Sequence, residues 1–266
     1  MSQTRINMAT EIVCENCGHI FQGEFCNKCG QQVFKRFSGL YLWHGLREDL
    51  FEIESGLLLT FKELWTHPGI MVLNYINGKT KRYYSPLKYL IFWTAAYLIL
   101  IPFTTRSESR SSIIDLMINS HSPFSRESLD DFISFWVQLM KMQTNIYFLG
   151  LIPFLSVINY SFHQANKFNL IEILILHTYF CGQFAFVIII FTNLTPLFIS
   201  FEIAGFKIMD LLLQLPYWYL FIRMQKEFFS ETWNKAILKG IVILIVGTAT
   251  YLFFLFLLFN GMKYVL

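Results

Sequence analysis

Ionisable side chains are scarce in this chain. Only 15% of its 266 residues are charged, 55% are hydrophobic, and mean hydropathy is +0.46. A soluble domain is about 25% charged and ~45–50% apolar. A soluble enzyme of this length must cover its surface with ionised groups, so the deficit excludes that class. The same composition excludes a disordered chain, a collagen and a basic nucleic-acid-binding tail. No HExxH, GxSxG or phosphate-loop motif occurs, and no nucleophile–base pair, so no motif points to catalysis. Residues 1–13 lack a continuous apolar core, which excludes a signal peptide and leads us to expect a retained, cytoplasmic N-terminus. There is no internal repeat and no low-complexity tract.

What the chain does have is apolar length. Aromatics make up 18% of it, led by 29 Phe. A membrane-spanning helix needs about 20 mainly apolar residues, and five stretches qualify, at about 86–103, 145–162, 170–194, 205–222 and 237–260. Pro86 stands at a permitted helix start, while Pro153 and Pro216 fall inside the second and fourth stretches. These runs predict an all-α integral membrane protein with about five transmembrane helices. Residues 86–266 form the membrane domain, preceded by an N-terminal module (1–34) and a juxtamembrane segment (35–85).

Charge placement predicts orientation. The net charge is only +3. Lys79, Lys81, Arg82 and Lys88 nevertheless crowd the start of the first run with no acid among them, and Arg223, Lys226, Lys235 and Lys239 lie between the fourth and fifth runs. In the 104–144 loop acids outnumber bases. By the positive-inside rule the N-terminus is inside and the C-terminus outside. Three flanking segments read as interfacial helices: Phe51 to Trp65, stopped by His67-Pro68-Gly69; a stretch from Leu129 capped by Ser128; and a helix in which Glu231 and Lys235 form an i,i+4 pair.

Four of the five cysteines form Cys14-x-x-Cys17 and Cys26-x-x-Cys29, each pair followed by glycine, Gly18 and Gly30. Such turns aim two thiolates at one point, and glycine permits the left-handed backbone that lets amides donate to sulfur. Four thiolates select zinc, less often iron, and close the shell against catalysis. Disulfides would need an oxidising compartment, against the orientation above. The eight residues between the pairs suit a tight hairpin. We therefore expect a structural zinc ribbon whose binding energy is its folding energy. Cys181, alone in an apolar run, reads as a buried small hydrophobe.

Candidate binding residues follow from placement. Lys79, Lys81, Arg82 and Lys88 suit anionic lipid headgroups or an acidic partner. Glu172, His177 and Asp210 fall within the apolar runs, where an ionisable group is costly. They read either as a proton or ion relay, or as headgroup-level acids with a singly bonded histidine. Around the ribbon, Glu11, Glu15 and Glu24 outweigh Lys28, so no nucleic-acid partner is expected. A protein partner at the ribbon fits better. The chain carries no signal for oligomeric state.

The order of the CxxCG and FCxxCGQ motifs, Ile53-Glu54-Ser55-Gly56, Pro68-Gly69, Tyr75-Ile76-x-Gly78-Lys79 and Tyr83-Tyr84-x-Pro86 resembles an uncharacterised family of Bacteroidetes-type multi-pass membrane proteins. That resemblance implies a bacterial inner-membrane location and a Glu and His in a later helix, at Glu172 and His177. The order of parts is also similar to the five-span Yip-family proteins. Neither resemblance implies a known activity.

Overall fold

The computed structural model describes residues 11–33, 36, 56–104, 144–163, 168–194, 202–203 and 206–263. Among them the side chains of 101–104, 144–147, 191–194, 202–203, 206–214 and 261–263 lie outside the description. The expected helix after Leu129 falls outside the described residues.

The described chain is mostly helical. Two short strands, β1 (Ile12–Val13) and β2 (Ile20–Phe21), pair antiparallel ahead of the helices. Seven α-helices follow among the described residues: α1 (Leu57–Thr66), α2 (Pro68–Ile76), α3 (Pro86–Thr104), α4 (Thr144–Phe162), α5 (Leu170–Leu194), α6 (Ile208–Phe228) and α7 (Trp233–Lys263). A single 3-10 turn spans Thr80–Arg82, and β3 (Glu202–Ile203) pairs with β4 (Phe206–Lys207) ahead of α6.

Several boundaries follow local chemistry. Pro68 and Pro86 each open a helix, where the missing N–H would be unpaired anyway. At α5, Asn169 Oδ1 accepts from the Glu172 amide at 2.8 Å, and Glu172 Oε2 accepts from the Asn169 amide at 2.8 Å. This reciprocal box satisfies donors at the helix start.

Other boundaries correct the sequence reading. His67-Pro68-Gly69 ends α1 but Pro68 also begins α2, a helix that the sequence reading missed. The fourth apolar run does not begin as helix: residues 206–207 are strand, and α6 continues to Phe228. Glu231 precedes α7, so no helical pair with Lys235 forms. Its carboxylate instead takes Lys239 Nζ at 2.5 Å, because Ser230, at a left-handed φ of 53°, turns the chain back toward α7.

α5 is the centre of the bundle, packed by α3, α4 and α6, while α7 lies outside against α4 and α6. Gly182 lets α5 approach α3, since a Cβ there would sit 2.7 Å from Tyr89 and 3.2 Å from the Leu90 backbone. Gly69 does the same for α2 on α6: its Cβ would meet the Phe228 amide at 2.5 Å. Helices that pack through lipid-like surroundings rely on such small residues.

Contacts gather several helix ends at one end of the bundle. Tyr179 donates to the Tyr84 carbonyl at 2.6 Å, Phe168 stacks near Phe228, and the Gly69 amide donates to Glu227 at 3.0 Å. His163, just past α4, stacks on Phe229 and lies 3.3 Å from Lys239 of α7. The ends of α4 and α6 and the starts of α5 and α7 therefore share this end with the start of α2. α3 begins beside the middle of α5, with Tyr89 against Gly182.

Among the described residues two helices are long and apolar enough to cross a membrane: Leu170–Ile190, with 72% of its apolar stretch buried in the bundle, and Trp233–Asn260, with only 22% buried. The second presents Leu238, Ile245 and Phe253 outward, each more than half exposed. Contiguous apolar surface on this scale marks a membrane or partner contact.

Candidate functional site

The N-terminal module is built from two equivalent turns. In the first, the Gly18 amide donates to the Cys14 carbonyl at 2.8 Å and the Cys14 amide to the His19 carbonyl at 2.9 Å. In the second, Gly30 donates to Cys26 at 2.8 Å and Cys26 to Gln31 at 2.7 Å. Both glycines take φ of 71°, the left-handed conformation that closes each turn. The expected hairpin is placed differently from the sequence reading. Ile20–Phe21 pairs backward across the first turn, and Phe25 bridges Gln32 across the second. Each strand pair thus splints one turn, and the segment between the cysteine pairs does not fold on itself.

The result is a sulfur cluster. Cys14 and Cys29 Sγ lie 3.5 Å apart, Cys17 and Cys26 3.7 Å, and all four sulfurs fall within 4.8 Å of one another. A tetrahedral ion with metal–sulfur bonds of ~2.3 Å needs sulfur–sulfur edges of about 3.8 Å. The four cysteines can hold a metal ion, and the donor set fits one. Burial pushes the Cys29 thiol up, but the Gln31 amide and the Asn16 side chain hydrogen-bond its sulfur and bring it down to about 6. At Cys17 the His19 amide acts in the same sense, but burial and the three neighbouring thiols outweigh it and push the thiol up to about 12. Without metal the proton is therefore lost first at Cys29.

The module is seated on the bundle. Gln31 is 3% exposed; its Nε2 donates to the Gly78 carbonyl and its Oε1 accepts from the Lys81 amide at 3.3 Å. Arg36 forks onto Glu172, Nε to Oε1 at 2.9 Å and Nη2 to Oε2 at 3.1 Å. Glu172 thus serves as a cap for α5 and an anchor for the chain leaving the ribbon.

The basic segment is equally committed. Lys79 Nζ donates to Asn74 Oδ1 at 2.9 Å, Arg82 pairs with Glu63 at 3.1 Å, and Lys88 is buried. Tyr83 donates to the same Glu63 at 2.7 Å; burial, then the carboxylate, raise its phenol to about 12. The side chains of Lys81 and Arg82 remain exposed to solvent.

His177 has separate company. It is fully buried, its Nδ1 3.0 Å from Ser156 Oγ and its Nε2 3.2 Å from Asn159 Nδ2. Ser156 spends its own proton on the Ile152 carbonyl at 2.7 Å, so it accepts from His177. The network therefore assigns the imidazole proton to Nδ1, with Nε2 accepting from Asn159. Asn159 Nδ2 also donates to Gln225 Oε1 at 3.0 Å, and Phe221 stacks on the ring. Two atoms of this cluster, Asn159 Oδ1 and Gln225 Nε2, are buried with no hydrogen bond.

Glu172, His177 and Asp210 are not brought together. Glu172 bonds Arg36 and Asn169, whereas His177 bonds Ser156 and Asn159. Asp210 precedes Gln225 on α6 by about 22 Å of helix, toward the far end, and its side chain lies outside the described residues. Gln31, Ser156, Asn159 and Gln225 were missed by sequence reasoning. Gln31 carried one usable signal, its place directly after the second knuckle glycine. The other three are single polar residues in apolar runs.

A family described as "Protein of unknown function (DUF3667)" has a model that matches residues 54–98. That stretch covers α1, α2, the turn that receives Gln31 and most of α3. No curated protein and no solved structure matches the chain.

Proposed function

We propose that the chain is a non-catalytic membrane protein that crosses the bilayer five times, with a structural zinc ribbon on the cytoplasmic side serving as a scaffold or docking element for a protein partner. The observation that carries this reading is the closed four-sulfur cluster fastened to one end of the helix bundle through Gln31 and Arg36. Four thiolates saturate a tetrahedral ion and leave no position for substrate. Zinc suits them because it is redox-silent and takes that geometry without strain. The membrane reading is supported by the outward apolar face of α7 and by helix ends that alternate as five crossings require. The bacterial inner membrane rests on the resemblance to Bacteroidetes-type proteins. Lys81 and Arg82 stand exposed where anionic headgroups would meet them.

The test is crosslinking of the wild-type and Cys17→Ser chains in native membranes, with zinc measured in each. Loss of both zinc and a specific crosslinked partner in the variant supports the reading. An unchanged partner set alongside lost zinc sinks the docking role.

A small transporter is the second reading. It is favoured by the buried Ser156–His177–Asn159–Gln225 cluster, with its open acceptor and open donor inside the bundle. It requires that His177→Ala abolish a pH-dependent flux in proteoliposomes without affecting insertion. A flux that survives the substitution removes the idea.

A further inference from the structure

Gln31 joins two structures that the sequence keeps 47 residues apart. On its own side it belongs to the second cysteine turn. Its carbonyl accepts from the Cys26 amide at 2.7 Å, and its amide donates to the Cys29 sulfur. The backbone of Gln31 is therefore shaped by two of the four cysteines. Its side chain reaches the other way, to the Gly78 carbonyl and the Lys81 amide. Those are the first carbonyl and the fourth amide of a four-residue turn, the pair that would close on each other in an ordinary turn. The Gln31 carboxamide stands between them and supplies one donor and one acceptor. Gly78, at a left-handed φ of 101°, ends α2: its amide donates to the Tyr75 carbonyl and the Lys79 amide to the Asn74 carbonyl, both at 3.1 Å, while its own carbonyl takes Gln31. The receiving turn carries Lys79 and Lys81, is followed by Arg82, and lies four residues before α3.

From this geometry we propose that the ribbon is a metal-controlled latch: metal at the four cysteines holds Gln31 in the Gly78–Lys81 turn, and loss of metal releases the ribbon from the bundle and lets the basic turn relax. The inference rests on the zinc reading above and adds what the metal regulates. A small ribbon has too few apolar residues to keep its turns without an ion. Without those turns the Gln31 carboxamide must be ordered from a free chain before it can bridge, and the bridge loses its preorganisation. The Arg36–Glu172 pair then still tethers the chain, at the first turn of α5.

The Lys81 amide is a direct reporter, since it is the hydrogen that Gln31 Oε1 accepts. The test uses the full-length chain in detergent micelles, with metal content measured by plasma emission and amide exchange followed at residues 78–82. Stripping the metal with a chelator is expected to speed Lys81 exchange on the order of tenfold, and Zn²⁺ added back to restore protection. Q31A is expected to exchange at the fast rate while still holding its metal, and to be indifferent to the chelator. If metal leaves the wild-type chain and Lys81 exchange stays unchanged, the latch is overturned while the zinc reading stands. If the purified chain holds no metal, both fall. Should Q31A fail to retain metal, the chelation result on the wild-type chain decides.

Discussion

Arg36 and Glu172 lie 136 residues apart in the chain, and their side chains meet in a two-point fork at 2.9 and 3.1 Å. Planar guanidinium–carboxylate forks fix orientation as well as distance. Glu172 is 5% exposed, at the first turn of the central helix, so the chain leaving the ribbon is registered against the core of the bundle. An acid that composition marks as costly within an apolar run is stabilised by a cation from outside that run and by the Asn169 amide.

This relationship separates two variants. Glu172→Gln keeps the capping exchange with Asn169 but loses the fork, and because Arg36 is largely exposed the expected cost is about 0.5–1 kcal/mol. Glu172→Ala loses the fork and the acceptor of the Asn169 amide, keeping only its own backbone amide on Asn169 Oδ1, and the expected cost rises to ~1–3 kcal/mol. Thermal unfolding in detergent should rank the alanine variant below the glutamine variant. Equal melting would show that Asn169 gains nothing from the carboxylate.

The sulfur cluster makes the ribbon depend on every ligand. Cys17→Ser is expected to lower bound metal to near zero, because three thiolates and an alcohol hold zinc far more weakly than four thiolates. Plasma emission on the purified chain, with Co²⁺ substitution read by its tetrahedral absorption bands, checks this. The bundle should keep its helical circular dichroism, since its core cluster shares no residue with that of the ribbon.

Removing the His177 ring leaves a cavity and strips partners from Ser156 and Asn159. The expected destabilisation for His177→Ala is roughly 2–4 kcal/mol. His177→Asn, which keeps polar atoms but fills less space, should lose less. Unfolding midpoints of the two variants in the same detergent measure the difference.

The α2–α6 contact has no room for a side chain at Gly69. Gly69→Val is expected to cost at least ~3 kcal/mol, because the clash is with the Phe228 amide and the Met224 carbonyl and cannot be relieved by rotating a side chain. Loss of a monodisperse peak on gel filtration, or a collapse in yield, would register it.

Stability should fall in mild acid through His163. Burial first, and Lys239 at 3.3 Å from its Nε2, lower its pKa, and these outweigh the Asn159 carbonyl and Glu231, which act the other way. A depressed folded pKa means that the unfolded chain binds the proton first. The contribution of His163 is therefore complete above the ordinary histidine value of ~6.5 and is lost as pH falls below it. The melting temperature of the wild-type chain should drop over that interval, with a shallower drop in His163→Asn.

Helix positions were the most legible feature, because an apolar run can be read without knowing its neighbours. α5 begins at Leu170 and ends at Leu194 as the run predicts, and Pro86 opens α3. The start of α6 was not legible, since residues 206–207 pair with 202–203 and strand pairing overrides a short apolar stretch. Nor was α2: His67-Pro68-Gly69 reads as a stop from one side and as a helix start from the other.

By itself the sequence determined the cysteine cluster, since paired CxxCG turns converge through bonds local to each turn. It determined the apolar helices as well, because hydrophobicity is additive along a segment. Which polar residues meet was decided only in the tertiary structure. His177 found Ser156 and Asn159 rather than Glu172, Glu231 found Lys239 rather than Lys235, and Gln31 found the Gly78–Lys81 turn. A buried polar group takes whichever partner the packing of the helices brings within about 3 Å. That choice depends on helix rotation and crossing, set by close approaches such as those at Gly69 and Gly182.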